Sequence, residues 1–119
     1  MIQTSYFRAR GLPLDRCVAI SLTVPRGYTG RRYPALAPSR ELLRAWREDD
    51  LTWVGYTEWY QLTVLDNLRA MQVAADLDGK IVVCWEWDRL HCHRRLVAEW
   101  LEAATGEQVP EWEAGRESS

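Results

Sequence analysis

Two thiols, a carboxylate, two imidazoles and a guanidinium fall within one short stretch of the chain, Cys84-Trp85-Glu86 and then His91-Cys92-His93-Arg94. These residue types suit nucleophilic or acid–base chemistry. A thiol at a helix N-terminus beside histidine or arginine is held as the nucleophilic thiolate. Glu86 leaves an apolar strand between Trp85 and Trp87. Its carboxylate must therefore be paired, solvated or raised in pKa, which makes it the best candidate for proton transfer. Pairing with Arg94 is the plain structural alternative. Each thiol taken singly reads more simply as packing, because free cysteine behaves as a small apolar group; the clustering is what favours function.

Cys84, His91, Cys92 and His93 are all acceptable zinc donors. Neighbouring helical residues point about 100° apart, however, so Cys92 and His93 are not expected to share an ion. Neither a CxxC pair nor HExxH is present, and the expectation is no metal. A phosphatase-type loop fails too: it needs arginine six residues after its cysteine, where Leu90 stands, with Arg89 one residue early. No motif points to a cofactor.

These groups need a strand and a helix to bring them together. Ile81 to Trp85 shows no polar alternation, as a central strand covered on both faces would. If it stays regular, Cys84 and Glu86 lie on one side. Downstream, Leu96, Val97, Trp100, Leu101 and Ala104 form a one-sided helical stripe closed by Gly106. Asp88 or a neighbour would cap that helix, with residues 91–94 in its first turn. In an open α/β sheet, ligands collect at the carboxyl ends of strands. The functional reading thus requires the strand end and the helix start to meet in a shared hollow.

Ile2 to Phe7 and Cys17 to Leu22 read as two further buried strands. Their connection is short for a crossover between parallel neighbours, so spacing leaves their relative direction open. Pro25 to Pro34 is a charged loop, and Ser39 caps a helix through Arg47. Tyr60, Val64, Leu68, Met71 and Ala75 share one face of a single helix beginning near Thr57. Asp78-Gly79 turns into the central strand, Gln108-Val109 adds a small edge strand, and residues 113–119 form a polar tail after a single domain over 1–112.

Composition narrows the functions. The 119 residues contain no apolar run of the ~18 needed to cross a bilayer, and Met1 to Ser5 lacks the basic and apolar regions of a secretory signal. A cytoplasmic protein without a membrane role is expected. Cys17, Cys84 and Cys92 are odd in number and lack framework spacing, so reduced thiols are expected. Residues 1–47 carry nine arginines against two acids, +7, while residues 48–119 carry six bases against fifteen acids, −9. The two halves can neutralise each other, and the net −2 does not suit a general duplex-DNA binder. Seven tryptophans supply core and rim volume beside one phenylalanine.

Thr4-Ser5-Tyr6-Phe7, Val18 to Ser21, Gly30-Arg31-Arg32-Tyr33-Pro34-Ala35-Leu36-Ala37-Pro38-Ser39, and Cys84-x-Glu86 with Cys92-His93-Arg94 together resemble the DUF488 family, in its shorter phage and bacterial branch. The resemblance implies a compact three-layer α/β sandwich with a small, largely parallel sheet flanked by helices. It implies no known reaction. Where longer members carry Asp-Val-Arg after the second strand, this chain has Ser21-Leu22-Thr23.

The expected function is binding or acting on a nucleotide-like or other anionic small molecule. Ser5, Tyr6, Arg31, Arg32, Tyr33, His93 and Arg94 would bind it, Glu86 would move protons, and Cys84 or Cys92 would be the nucleophile. The alternative is a noncatalytic module in which the basic segment meets nucleic acid or an acidic protein and tryptophans anchor the interface.

Overall fold

Ile81 to Cys84 offers water no polar side chain, and in the computed structural model all four residues are buried, as strand β4 (Ile81–Cys84). The structure describes residues 1–86 and 91–114. β4 is flanked by β1 (Gln3–Tyr6) and β2 (Cys17–Ala19), and β3 (Arg31–Arg32) adds to the far side of β2, giving the order β1-β4-β2-β3. Every pairing is parallel. The direction left open by the short β1–β2 connection is settled because the two strands are not neighbours: β4 lies between them, so no crossover between adjacent strands is needed. β3 sits inside the segment expected to be only loop, and β2 stops at Ala19, short of the expected Leu22.

Side-chain alternation divides the sheet's two faces. Val18, Ile20, Val82 and Cys84 pack with the buried residues of the four helices, while Cys17, Ala19, Ile81 and Val83 pack with Trp112 and with Phe7, Leu12, Val24 and Tyr28. The α/β sandwich therefore has a helical layer, the sheet, and a layer built of irregular segments.

Helix α1 (Arg40–Arg47) starts where Ser39 Oγ accepts the Leu42 amide at 3.0 Å. The single helix expected from Thr57 to Ala75 is instead two, α2 (Trp53–Thr63) and α3 (Ala70–Asp76). α2 begins earlier, capped by Thr52, whose hydroxyl accepts the Gly55 amide at 3.1 Å. It ends at the cap residue Val64 (φ −116, ψ −68), whose amide still donates to the Tyr60 carbonyl, and the Asn67 side-chain amide satisfies the Thr63 carbonyl at 3.0 Å. A 3₁₀ turn at Leu65–Asn67 then buries Leu65 and redirects the chain.

Helix α4 (His93–Thr105) closes at Gly106, whose φ of 75 is the left-handed cap that glycine adopts without strain. The expected edge strand at Gln108-Val109 is displaced: the chain bridges β1 at Glu111, next to Thr4, with Thr4 N–H donating to the Pro110 carbonyl and Trp112 N–H to the Thr4 carbonyl. Asp88, expected as a helix cap, and tail residues 115–119 lie outside the described residues. Among the described residues, no helix is long and apolar enough to cross a membrane.

Candidate functional site

All four strands being parallel, their carboxyl ends share one edge, and Tyr6 stands opposite Cys84 in register. The start of α4 comes to the same edge. Arg94, in its first turn, is fully buried yet fully engaged. Its Nη2 donates to Glu111 Oε1 at 2.8 Å and its Nε to both carboxylate oxygens at 3.2 Å. Nη1 donates to Cys84 Sγ at 3.2 Å and to the Glu86 carbonyl. Its guanidinium carbon also lies 5.9 Å from the Tyr6 ring centroid, within cation–π range. Arg94 therefore ties β1, the end of β4 and the Glu111 segment together. Burying such a cation is tolerable because a near-bidentate carboxylate and several acceptors surround it. Glu111 also accepts the Thr4 hydroxyl. Glu86, the proton-transfer candidate whose plain structural alternative was pairing with Arg94, gives Arg94 its carbonyl rather than its carboxylate, and the residue is exposed.

The expectation of three reduced cysteines is corrected. The structure joins Cys84 and Cys92 by a disulfide, leaving Cys17 the free cysteine. The two come within reach because Cys92 is not in the first helical turn but is the N-cap of α4, with extended backbone (φ −130, ψ 139), which turns its side chain toward the strand end. The Glu86 carboxylate reaches the same sulfur, with Oε2 3.6 Å from Cys92 Sγ.

His93, the first helical residue, is buried, with Nε2 2.9 Å from the Ile20 carbonyl. That acceptor requires the proton on Nε2 and leaves Nδ1, 4.0 Å from Cys92 Sγ, as the lone-pair nitrogen. Burial pushes the imidazole pKa down to about 4, and the nearby Arg94 charge acts in the same direction, outweighing the opposing Ile20 hydrogen bond. His93 is neutral at pH 7.

A cleft of about 400 Å³ opens beside this cluster, between α1 and the ends of β2 and β4. Arg40, Arg44 and Arg47 stand on its α1 wall; Ser21, Thr23, Trp85, Glu86 and His93 are on the other side. Strand end and helix start thus share a hollow, reached by Glu86 and His93. Cys84 and Cys92 are sealed behind it. The α1 arginines were missed, although their i, i+4, i+7 spacing after the Ser39 cap places them on one helical face.

The remaining sequence candidates are scattered. Ser5 pairs with Val83 and so turns to the face opposite Cys84. Arg31 and Arg32 are exposed on β3, and Arg32 Nη2 donates to the Leu22 carbonyl at 3.1 Å. The Tyr33 hydroxyl donates to Asp76 at 2.6 Å; burial and that carboxylate push its pKa up to about 12. None of these four lines the cleft. His91 is exposed, its ring edge-on to Trp53 at 5.4 Å.

The family model DUF488-N3a, described as the active DUF488-N3 subclade, matches residues 1–105. The chain belongs to the DUF488 family. Neither the curated proteins nor the solved structures give a match. The DUF488 match spans the described cleft residues and the Cys84, Cys92, His93 and Arg94 cluster. Glu111, the carboxylate that holds Arg94, lies beyond it.

Proposed function

We propose that this DUF488 domain binds, and acts on, an anionic small molecule of nucleotide-like or similar phosphate-bearing type in the cleft between α1 and the strand ends. The observation that carries the reading is the row of Arg40, Arg44 and Arg47 facing Glu86 and His93 across one cavity. Guanidinium forks match phosphate and carboxylate oxygens bidentately and stay charged at all working pH. A cleft of about 400 Å³ is in the range used for small ligands. Trp85, 41% exposed at its rim, offers a flat face to a base, and its indole N–H is anchored on Thr23 at 2.9 Å.

Glu86 is the group for proton transfer, being an exposed carboxylate in the same hollow. Arg94 acts by positioning the strand end rather than by holding ligand, since its donors are already engaged by Glu111, Cys84 and Glu86. The description of the matched subclade as active agrees with a site that performs chemistry.

Calorimetric titration with inorganic pyrophosphate and with nucleoside mono- and triphosphates tests this. Saturable 1:1 binding that Arg44→Ala weakens at least about tenfold is expected, since charge-assisted hydrogen bonds are worth ~1.5–3 kcal/mol. No binding across the set, or binding indifferent to Arg40→Ala and Arg44→Ala, overturns it. Affinity that grows with oligonucleotide length and falls steeply with salt would instead favour the nucleic-acid interaction module.

A further inference from the structure

Cys84 Sγ, Cys92 Sγ and a ring nitrogen of His93 lie within 4.8 Å of one another, and all three residues are buried. We propose that the reduced chain holds a zinc-type divalent cation here, ligated by the Cys84 and Cys92 thiolates, His93 Nδ1 and the Glu86 carboxylate. The site rests on the donor cluster and not on anion binding, although it shares Glu86 and His93 with the cleft and makes Glu86 a ligand while the ion is bound.

The sequence argument against a shared ion assumed that Cys92 and His93 both lie on a helix. Only His93 does. With Cys92 extended as the N-cap, the two side chains converge, His93 Nδ1 lying 4.0 Å from Cys92 Sγ. Glu86 Oε2 is 3.6 Å from the same sulfur. Ligand atoms around a tetrahedral zinc ion stand about 3.3–3.8 Å apart, from metal–ligand bonds of ~2.0–2.3 Å, so His93 Nδ1 and Glu86 Oε2 already stand near ligand spacing from Cys92 Sγ, while the two sulfurs, bonded to each other here, must part on reduction. The Cys84 and Cys92 Cα atoms are 7.7 Å apart, wider than the ~4.4–6.8 Å usual between bridged cysteines, a span that suits two sulfurs meeting on an ion.

The surroundings are those a metal site uses. A ligating imidazole commonly donates its other ring N–H to a backbone carbonyl, which fixes its tautomer and orientation; His93 Nε2 on the Ile20 carbonyl does this. Arg94 Nη1 donates to Cys84 Sγ, which favours the thiolate form. Three donors are buried while Glu86 is exposed and faces the cleft. Glu86 is therefore the ligand that a water or substrate atom can displace, which would leave the three protein ligands and one open position of a catalytic zinc site. Loading starts from the dithiol: a dithiol reductant supplies two electrons, the S–S bond breaks to two thiols, and the cation displaces their protons.

The test uses the full chain, reduced and freed of reductant under argon, and titrated with cobalt(II) and then zinc(II). The expected result is one equivalent of cobalt with the intense visible bands of a tetrahedral site and thiolate-to-cobalt charge transfer, abolished by one equivalent of zinc. Cys17→Ser should leave the spectrum intact. His93→Gln should weaken cobalt binding more than about 100-fold, beyond the ~10–100-fold typical of losing an outer-shell partner. Should a variant fail to fold, peptide mapping of alkylated wild type decides: zinc should protect Cys84 and Cys92. A weak octahedral spectrum, or no protection of these two thiols, overturns the proposal. Because the readout is cobalt absorption and thiol protection, it can fail while pyrophosphate binding persists, and the reverse.

Discussion

Cys17 and Cys84 sit on adjacent parallel strands, at 1% and 0% exposure, and share almost nothing else. Cys17 heads β2 at the amino edge, in the layer of Ala19, Ile81, Val83 and Trp112. Desolvation pushes its thiol up to about 11, with Arg16 offsetting only part of that. Cys84 closes β4 at the carboxyl edge, bonded to Cys92 and touched by the Arg94 guanidinium at 3.2 Å. Equal burial therefore gives unequal chemistry. At the amino edge a thiol replaces a methyl group; at the carboxyl edge, helix start, guanidinium and carboxylates surround a disulfide sulfur with charge. A buried cysteine indicates function only through its neighbours.

The largest break in this contrast should come at Arg94. Arg94→Met removes the cation and strands Glu111, which should cost about 3–5 kcal/mol in urea unfolding. Adding Glu111→Gln should recover part of that loss. An additive double mutant would show that the pair does not organise the carboxyl edge.

His93 sharpens the contrast through pH. Its folded pKa of about 4 lies below the ordinary 6.5, so the unfolded chain binds more protons between those values. The stability it contributes is complete above pH 6.5, falls as the pH drops toward 4, and is lost no further below that. The drop should be about 3 kcal/mol, at ~1.4 kcal/mol per unit. Unfolding midpoints of wild type and His93→Gln should converge across this window; parallel curves would contradict the buried neutral imidazole.

At the amino edge the effects should be smaller. Cys17→Ala removes one buried atom and should cost about 1–2 kcal/mol, with pyrophosphate affinity unchanged. Iodoacetamide at neutral pH should label Cys17 only on unfolding, and Cys84 and Cys92 only after reduction. Smallest is the loss of the α1 cap: Ser39→Ala should cost about 1 kcal/mol in thermal denaturation, since one helix-end amide loses its acceptor. Because α1 carries the arginine wall, that variant should also bind pyrophosphate somewhat more weakly, whereas Cys17→Ala should not.

Features carried by local pattern were legible. The unbroken apolar run at Ile81 gave away the central strand, Ser39 the start of α1 and Gly106 the end of α4. Features set by distant partners were not. Glu111 meets Arg94 from seventeen residues away on a separate segment, and nothing in either neighbourhood advertises the pair. The periodicity from Tyr60 to Ala75 is real, but Leu65 gains burial in a 3₁₀ turn that interrupts it. Taking His91 and Cys92 as helical hid the convergence of Cys92 with His93; the helix starts at His93, at least two residues later than expected, at a boundary where local signals are weakest. Charge drew attention to Arg31 and Arg32, while the helical spacing of Arg40, Arg44 and Arg47 was the better guide to the cleft.

The claim that the carboxyl edge is a ligand site is tested most directly by backbone amide chemical-shift mapping during a pyrophosphate titration of the full chain. The predicted result is saturable perturbation at Ser21 to Thr23, Arg40 to Glu48, Glu86 and His93, with the amides around Cys17 silent. Shifts confined to Arg8, Arg10 or Arg31 and Arg32, or none at any concentration, would contradict it.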